Sequence, residues 1–455
     1  MSEQINVRSE ALKALMMILE EKRPSHLVIR ETLAKLPGLD RRDRSFFTRL
    51  CEGTTEQLLR LDYVLSKCSS IPVRKMKPLI RTLLRMSVYQ LLFMDSVPDS
   101  AVCNEAVKLA VKRGFSGLKG YVNGVLRSVC RLEEDETLPS PEKNRNDYLS
   151  VKYSVPVWLV DYLAEHYGID QLEVILNGFL TERPITARIN LSRTDRETVV
   201  RALEKEGVSV SPAFDDSAYD DVVSLENTGN PAELSVMREG LIQIQDVASM
   251  LPVFAAGIQP GETVIDVCAA PGGKTLHAAD VLAGSGKVIS RDLSQDKVDL
   301  IIENIKRSCL PGVQTAVHDA TVFDPGLEKK ADVVIADLPC SGLGIIGKKP
   351  DIKYRMDHAQ ICGLAVLQRQ ILSVVSRYVK PGGRLIFSTC TLSREENGEN
   401  RRWFLEMFPD FSPMQLTDKH FSVFEESSVG EGYIQLVPGL HPCDGFYVAA
   451  FRRSI

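Results

Sequence analysis

The sequence has no apolar run as long as the roughly 18 residues that a membrane-crossing helix requires, so no membrane span is expected. Its opening stretch, Met1-Ser2-Glu3-Gln4-Ile5-Asn6, lacks a signal-peptide core, and a cytoplasmic location is the expectation. Ten cysteines are scattered along the chain without one Cys-x-x-Cys pair. That spacing argues against both a disulfide framework and a zinc ribbon, and most of the ten read as small buried hydrophobes in a reducing compartment. The seven histidines, His277 and His318 among them, lack metal-ligand spacing, so no metal is expected. Internal repeats and low-complexity tracts are absent. Hydrophobic residues at 44% and charged residues at 25% are ordinary for a soluble globular chain. A length of 455 residues suffices for two to four domains.

The net charge of −5 conceals an asymmetry. Residues 1–131 carry 23 Lys/Arg against 13 Asp/Glu, and the remainder carries 32 against 47. A basic first segment on an acidic chain suggests a polyanion partner there. Its basic residues gather at Arg74, Lys75, Lys77, Arg81 and Arg85, and again at Lys108, Lys112, Arg113 and Lys119. Apolar residues recur at helical spacing through Ala11–Leu19 and Leu79–Met86, which predicts an all-helical domain over 1–132. The polar, proline-containing stretch 133–148 reads as a linker. A small α+β domain is expected over 149–236, with Pro156 opening a helix, a strand at Thr186–Asn190, a helix from about Asp195 to Lys205, and a turn region holding Asp215-Asp216.

From 237 to 455 strand patterns alternate with helical ones. Strand cores lie at Thr263–Val267, Val288–Ser290, Thr315–Val317, Val333–Ala336 and Arg384–Ser388, with a late strand at Gly445–Phe451. This alternation predicts a doubly wound, Rossmann-like α/β domain with a mostly parallel sheet. Ligands in such sheets sit beyond the strand carboxyl ends. One such end carries Cys268-Ala269-Ala270-Pro271-Gly272-Gly273-Lys274, in which the glycines allow close approach of a ligand to a helix N-terminus. The run is neither Gly-x-Gly-x-x-Gly, which disfavours NAD, nor a complete phosphate-binding loop, since the early glycine is missing. Asp292 closes the next strand, where a carboxylate can accept both ribose hydroxyls, and Asp319 stands at the following strand end, placed for an adenine amino group. An adenosine without phosphates, S-adenosylmethionine, fits this set best.

Two cysteines end two further strands, Cys340 after Val333–Pro339 and Cys390 after Arg384–Thr389. Methyl transfer to carbon 5 of a pyrimidine needs covalent help, because that carbon has no lone pair. A thiolate adding at carbon 6 makes the ring an enamine that can accept the methyl group. Cys340, Cys390 and Asp337 supply a nucleophile, a second thiol and an acid for the ring. A thiol value well below the free one is expected at the nucleophile. Spacing alone leaves open which cysteine attacks, and Pro339-Cys340 looks like the nucleophile motif of DNA cytosine-5 methyltransferases.

Asp337-Leu338-Pro339-Cys340-Ser341-Gly342 and Ser388-Thr389-Cys390-Thr391-Leu392, followed by Glu395-Glu396-Asn397, resemble the two signature motifs of the Sun-type RNA cytosine-5 methyltransferases. The run Cys268 to Lys274 matches the family's cofactor turn, Gln245–Ser249 resembles its lead-in, and Pro350-Asp351-Ile352-Lys353 its loop after the Pro-Cys motif. Residues 5–131, including Val122–Arg127, are similar to the NusB fold. The resemblance implies that Cys390 is the nucleophile, that Cys340 assists breakdown of the adduct, and that Asp337 lies at both the methionine end of the cofactor and the target base. Cys268, Ala269, Ala270, Pro271, Gly272, Gly273, Lys274, Asp292, Asp319 and Asp337 would bind S-adenosylmethionine. The implied substrate is a cytosine of small-subunit ribosomal RNA, as free RNA or in an early assembly state, with the NusB-like domain binding phosphates, the 149–236 domain RRM-like, and the protein monomeric without membrane or metal. Transfer RNA as substrate, or a non-catalytic RNA-binding assembly role, are the alternatives. Lys348-Lys349 and Arg394 depart from the residues usual in the family.

Overall fold

Apolar residues at helical spacing, punctuated by Pro24, Pro72, Pro98 and their neighbours, shape the first part of the computed structural model into a run of helices. The structure describes residues 5–214, 217–424 and 429–455; residues 1–4 and the Asp215-Asp216 pair noted above lie outside the described residues. The chain forms two compact units, Met1–Leu180 with Ile346–Arg355, and Thr181–Ile345 with Met356–Ile455.

In the first unit the helix Pro78–Phe93 begins with proline at its first turn, where the missing N–H costs nothing. It buries Ile80, Leu83, Leu84, Met86 and Val88 in a core shared with Leu12, Leu15, Phe47, Leu61, Val64 and Leu126. Several cations counted above serve this fold internally. Arg81 pairs with Glu20, Arg85 donates to Asp62 at 2.6 and 2.7 Å, Lys108 pairs with Glu105, and Arg113 donates to Ser9. Arg74, Lys75, Lys77, Lys112 and Lys119 are exposed. The stretch 133–148 is fastened to this unit: Arg60 donates to Thr137 Oγ1 at 3.0 Å and Tyr63 to the Leu138 carbonyl at 3.1 Å. The helices Arg145–Lys152, Val157–Tyr167 and Ile169–Gly178 continue it, and the chain leaves at Leu180.

Residues 346–355 return to the same unit. Lys353 is fully buried and donates to the Glu56 carbonyl at 2.9 Å; burial pushes its ammonium down to about 7. Tyr354 donates to the Ser154 carbonyl at 2.9 Å.

The second unit opens with strands β1 (Ile185–Ile189), β2 (Ser209–Pro212), β3 (Val222–Glu226) and β4 (Ile242–Ile244), antiparallel in the order β2-β3-β1-β4. Helices Arg196–Lys205 and Ser235–Arg238 pack Val199, Leu203, Val236 and Met237 against Ala187, Ile189, Val223 and Leu225. Arg188 of β1 is almost wholly buried and pairs with Asp280 at 2.6 Å; Asp280 also accepts the N–H groups of Leu191 and Ser192. Removing one partner of a buried pair strands the other charge. Asp280→Ala is therefore expected to cost about 3–5 kcal/mol in urea unfolding, with Asp280→Asn, which keeps an acceptor, losing less. Equal stability of Asp280→Ala and the parent chain would refute the pair's role.

The larger sheet contains β5 (Thr263–Asp266), β6 (Lys287–Asp292), β7 (Val313–Val317), β8 (Ala331–Asp337), β9 (Val379–Thr389), β10 (Phe411–Pro413), β11 (Val429–Gly430), β12 (Tyr433–Leu436) and β13 (Phe446–Arg453). Its order is β11-β12-β13-β9-β8-β5-β6-β7, with β10 on β13. The five strands β7-β6-β5-β8-β9 are parallel, and β13, β12 and β11 run antiparallel. This is the expected Rossmann-like sheet. The short β10, β11 and β12 were not read from the sequence, because segments of two to four residues carry too little alternation to register. The helix His358–Val375 and the turn to Tyr378 are long and apolar enough to cross a membrane by length and composition, although no uninterrupted apolar run showed this. Its Ile371, Leu372 and Val375 lie buried in the core beneath β8.

Candidate active site

Strand order reverses around β5, whose neighbours are β6 and β8, so the carboxyl ends of β6, β5, β8 and β9 open on one edge, the place such sheets reserve for ligands. Asp266, Asp292 and Asp337 are the last residues of β5, β6 and β8, and Cys390 directly follows β9.

After β5 the chain turns through Cys268–Gly272 into the helix Gly273–Leu282. Gly272 has φ +109°, a conformation that side chains resist. The Ala269 N–H donates to the Arg291 carbonyl at 3.0 Å, and Asn304 donates to the Pro271 carbonyl at 2.7 Å. Asp292 is 3% exposed; its carboxylate accepts the Ala270 N–H at 2.9 Å and the Leu293 N–H at 2.7 Å and pairs with Lys297 at 2.9 Å. Leu293, next to it, is 62% exposed, an apolar side chain left open beside a carboxylate. Asp319 is exposed, and its Oδ1 accepts the Thr321 N–H and hydroxyl, the geometry of a loop acid. Burial holds the Cys268 thiol well above its ordinary value.

Lys274 does not point outward as a phosphate ligand. It is 7% exposed and donates to Asp337 Oδ2 at 2.6 Å and to Ser249 Oγ at 3.0 Å. Ser388 donates to Asp337 Oδ1 at 2.8 Å, so this carboxylate is held from the cofactor turn on one side and from β9 on the other. Beneath the turn, Asp266 accepts from Thr275 at 2.7 Å, and burial lifts its carboxyl to about 7. Asp266 Oδ1 is buried without a partner among the described residues.

The two thiols meet: Cys340 Sγ and Cys390 Sγ are 3.3 Å apart. Adjacency of β8 and β9, with Asp337 in register with Ser388, brings them together across 50 residues of sequence. The hydrogen bond with Cys390 and then burial push the Cys340 thiol well above its ordinary value, and the nearby Glu396 and Asp337 carboxylates act the same way. The depressed thiol value expected at the nucleophile is thus not found at Cys340. That sulfur is held neutral.

The residues that fix this pair were not read from the sequence as positioning groups, although Glu395-Glu396-Asn397 stood out as a motif. Glu396, fully buried, accepts the Ser341 N–H at 2.9 Å, the Ser341 hydroxyl at 2.5 Å and the Gln368 amide at 3.1 Å. Asn397 donates to the Thr391 carbonyl at 3.0 Å and accepts from Thr389 at 2.5 Å. Glu396 therefore ties the Cys340 loop to the segment that follows Cys390, and Asn397 braces that segment against Thr389 and Thr391. Gly344 donates its N–H to the Cys390 carbonyl at 3.0 Å, and any Cβ there would lie 2.0 Å from the Gly445 carbonyl oxygen.

The family described as 16S rRNA methyltransferase RsmB/F matches residues 254–452, the NusB family matches 5–131, and an RsmF/B-like ferredoxin-like domain matches 155–230. A protein of Bacillus subtilis (strain 168) called "Probable ribosomal RNA small subunit methyltransferase B" is 35% identical over 452 residues, 99% of each chain. The "Ribosomal RNA small subunit methyltransferase B" of Escherichia coli O1:K1 is 29% identical over 457 residues and the whole of both chains. Among solved structures, that of PH0851 is similar with a TM-score of 0.82 and 28% identity, covering 99% of this chain and 100% of its own. With a NusB-like helical domain, a ferredoxin-like domain and a Rossmann-like catalytic domain in that order, the chain belongs to the RsmB/F family of 16S rRNA methyltransferases.

Proposed function

We propose that this chain methylates carbon 5 of a cytosine in small-subunit ribosomal RNA, through a covalent bond between Cys390 and carbon 6 of the base. The observation that carries the reading is the pair of thiols 3.3 Å apart at adjacent strand ends, beside Asp337. Methylation of nitrogen or oxygen would require neither sulfur. The cofactor is S-adenosylmethionine, which supplies an electrophilic methyl group when bound. The residues present suit it. Asp292 would accept the ribose hydroxyls, the exposed Leu293 offers an apolar face for a base, and Lys274, committed to Asp337 and Ser249, is unavailable to a phosphate. Cys268 to Gly273 would line the methionine side, with Asp337 at the boundary between cofactor and target base and Asp319 toward the adenine.

The target cytosine must leave its stack to reach a thiol at a sheet edge. Cys390 sulfur adds to carbon 6, which makes carbon 5 nucleophilic, and carbon 5 takes the methyl group. Asp337, fixed by Lys274 and Ser388, would hold the ring nitrogen side. Loss of the carbon 5 proton to a base then reforms the ring double bond as the carbon–sulfur bond breaks, and Cys340 assists this departure. The test is transfer of labelled methyl from S-adenosylmethionine to naked small-subunit rRNA, transfer RNA and DNA in parallel, with nucleoside analysis by mass spectrometry. Label as 5-methylcytidine from ribosomal RNA alone is expected. Label in transfer RNA would keep the mechanism and overturn the substrate, and label on another atom would overturn the mechanism.

A further inference from the structure

The helix Ser25–Ala34 and the returning segment Ile346–Arg355 meet within the first unit. Ser25, the first residue of the helix, donates its hydroxyl to Asp351 Oδ1, and Arg355 donates to Asp351 Oδ2 at 3.1 Å. Asp351 is 4% exposed, so its charge is spent on this junction and not shown to solvent. Around the junction stand His26 and Arg30, four residues apart on the helix and both exposed, with Lys349 and Arg355 from the segment and exposed Lys348 beside them. Neither Arg30 nor Lys349 has an ion-pair partner among the described residues. The crowding registers on His26: burial first, then Lys349, Arg30 and Arg355 disfavour its charged form, with Asp351 opposing them.

Three other arginines of this unit are paired with acids: Arg81 with Glu20, Arg85 with Asp62, and Arg23 with Glu31. Here three cations face one buried carboxylate. Like charges held together raise the energy of the free protein, and a polyanion relieves that repulsion while releasing its own counterions. We propose that the face formed by Arg30, Lys349 and Arg355 binds the phosphate backbone of the RNA substrate. Phosphate contacts set register and orientation without reading bases. Lys349 lies nine residues beyond Cys340 in the chain, so the segment that grips the backbone is the direct continuation of the loop bearing the second thiol. Lys349, partly buried, stood out with its neighbour Lys348 as a departure from the family's usual arginines, and it has a use on this face as a point charge toward phosphate.

The inference rests on RNA being the substrate, and the experiment separates the two. Binding of a 16S rRNA fragment to the full chain is measured by fluorescence anisotropy across a range of salt, for the parent protein and for the double variant Arg30→Glu/Lys349→Glu. The variant is expected to bind about tenfold or more weakly at low salt, and the plot of log affinity against log salt to lose about 1.4–1.8 of its slope, the share of two phosphate contacts. Binding of S-adenosylmethionine should be unchanged, which certifies the fold. Arg74→Glu/Lys75→Glu, an equal charge change on exposed residues of the same unit, is the control. Equal loss in both variants would show a diffuse charge effect and overturn the localisation, as would a double variant with parental affinity and slope. A parent protein that binds the cofactor yet neither binds nor methylates RNA would instead overturn the proposed function.

Discussion

Cys390→Ala is expected to lower methyl transfer by about four orders of magnitude or more, the scale seen when a covalent nucleophile is removed, and to abolish covalent capture of RNA. Carbon 5 of cytosine has no lone pair, so without a sulfur at carbon 6 the ring cannot take the methyl group at a useful rate. Capture can be read separately from turnover. RNA carrying 5-fluorocytosine has no proton to lose at carbon 5, and the parent enzyme should remain attached to it as a slow band on a denaturing gel. The Cys390→Ala protein should give no band while still binding S-adenosylmethionine, because the cofactor turn is held by Asp292, Arg291 and Asn304 and not by Cys390. Wild-type turnover in this variant would sink the covalent mechanism. Loss of turnover with an intact band would move the nucleophile to another residue.

What the sequence made legible was whatever lies in continuous runs. The parallel strands β5 to β9 are apolar segments bounded by turn residues, and their carboxyl-terminal residues Asp266, Asp292 and Asp337 follow once the strands are placed. The meeting of Cys340 with Cys390 followed from adjacent strand ends, and the 3.3 Å contact is a property of that pairing. Side-chain partners across the fold were not legible. Lys274 sits in a turn that looks built for a ligand, yet its ammonium is turned inward to Asp337, 63 residues away. Glu396 reads locally as one acid of a polar run, and only the fold shows it buried with Ser341 and Gln368. The net positive charge of residues 1–131 was visible, but its distribution was not. Arg81 and Arg85 are spent on Glu20 and Asp62, whereas the cations near Arg30 include Lys349 and Arg355 from a segment remote in sequence. Asp319, expected beside an adenine, also accepts from Thr321 in its own loop, a contact that spacing did not show.

Cys340→Ala is expected to divide the reaction at a different point, letting the RNA–protein adduct form on ordinary RNA and then persist. In the resting site the Cys340 thiol is held neutral, first by its hydrogen bond with Cys390, then by burial, and also by the carboxylates of Glu396 and Asp337. The adduct removes the first of these causes, since the Cys390 sulfur is then a thioether, but burial and the two carboxylates remain and still disfavour a charged Cys340. A neutral S–H beside the leaving sulfur can stabilise the negative charge that develops there as the carbon–sulfur bond breaks. Alanine cannot, so the slow band should appear with unmodified RNA and grow as turnover falls. Because the neutral form is the useful one and its ionisation is displaced upward, breakdown of the parent adduct should not fail as pH rises from 7 to 9. A denaturing gel without a shifted band for Cys340→Ala would count against this role. Serine separates the proton from the sulfur. If Cys340→Ser accumulates less adduct than Cys340→Ala, the hydroxyl is replacing a donor. If the two accumulate equally, the requirement lies in the size and polarisability of the sulfur rather than in its proton.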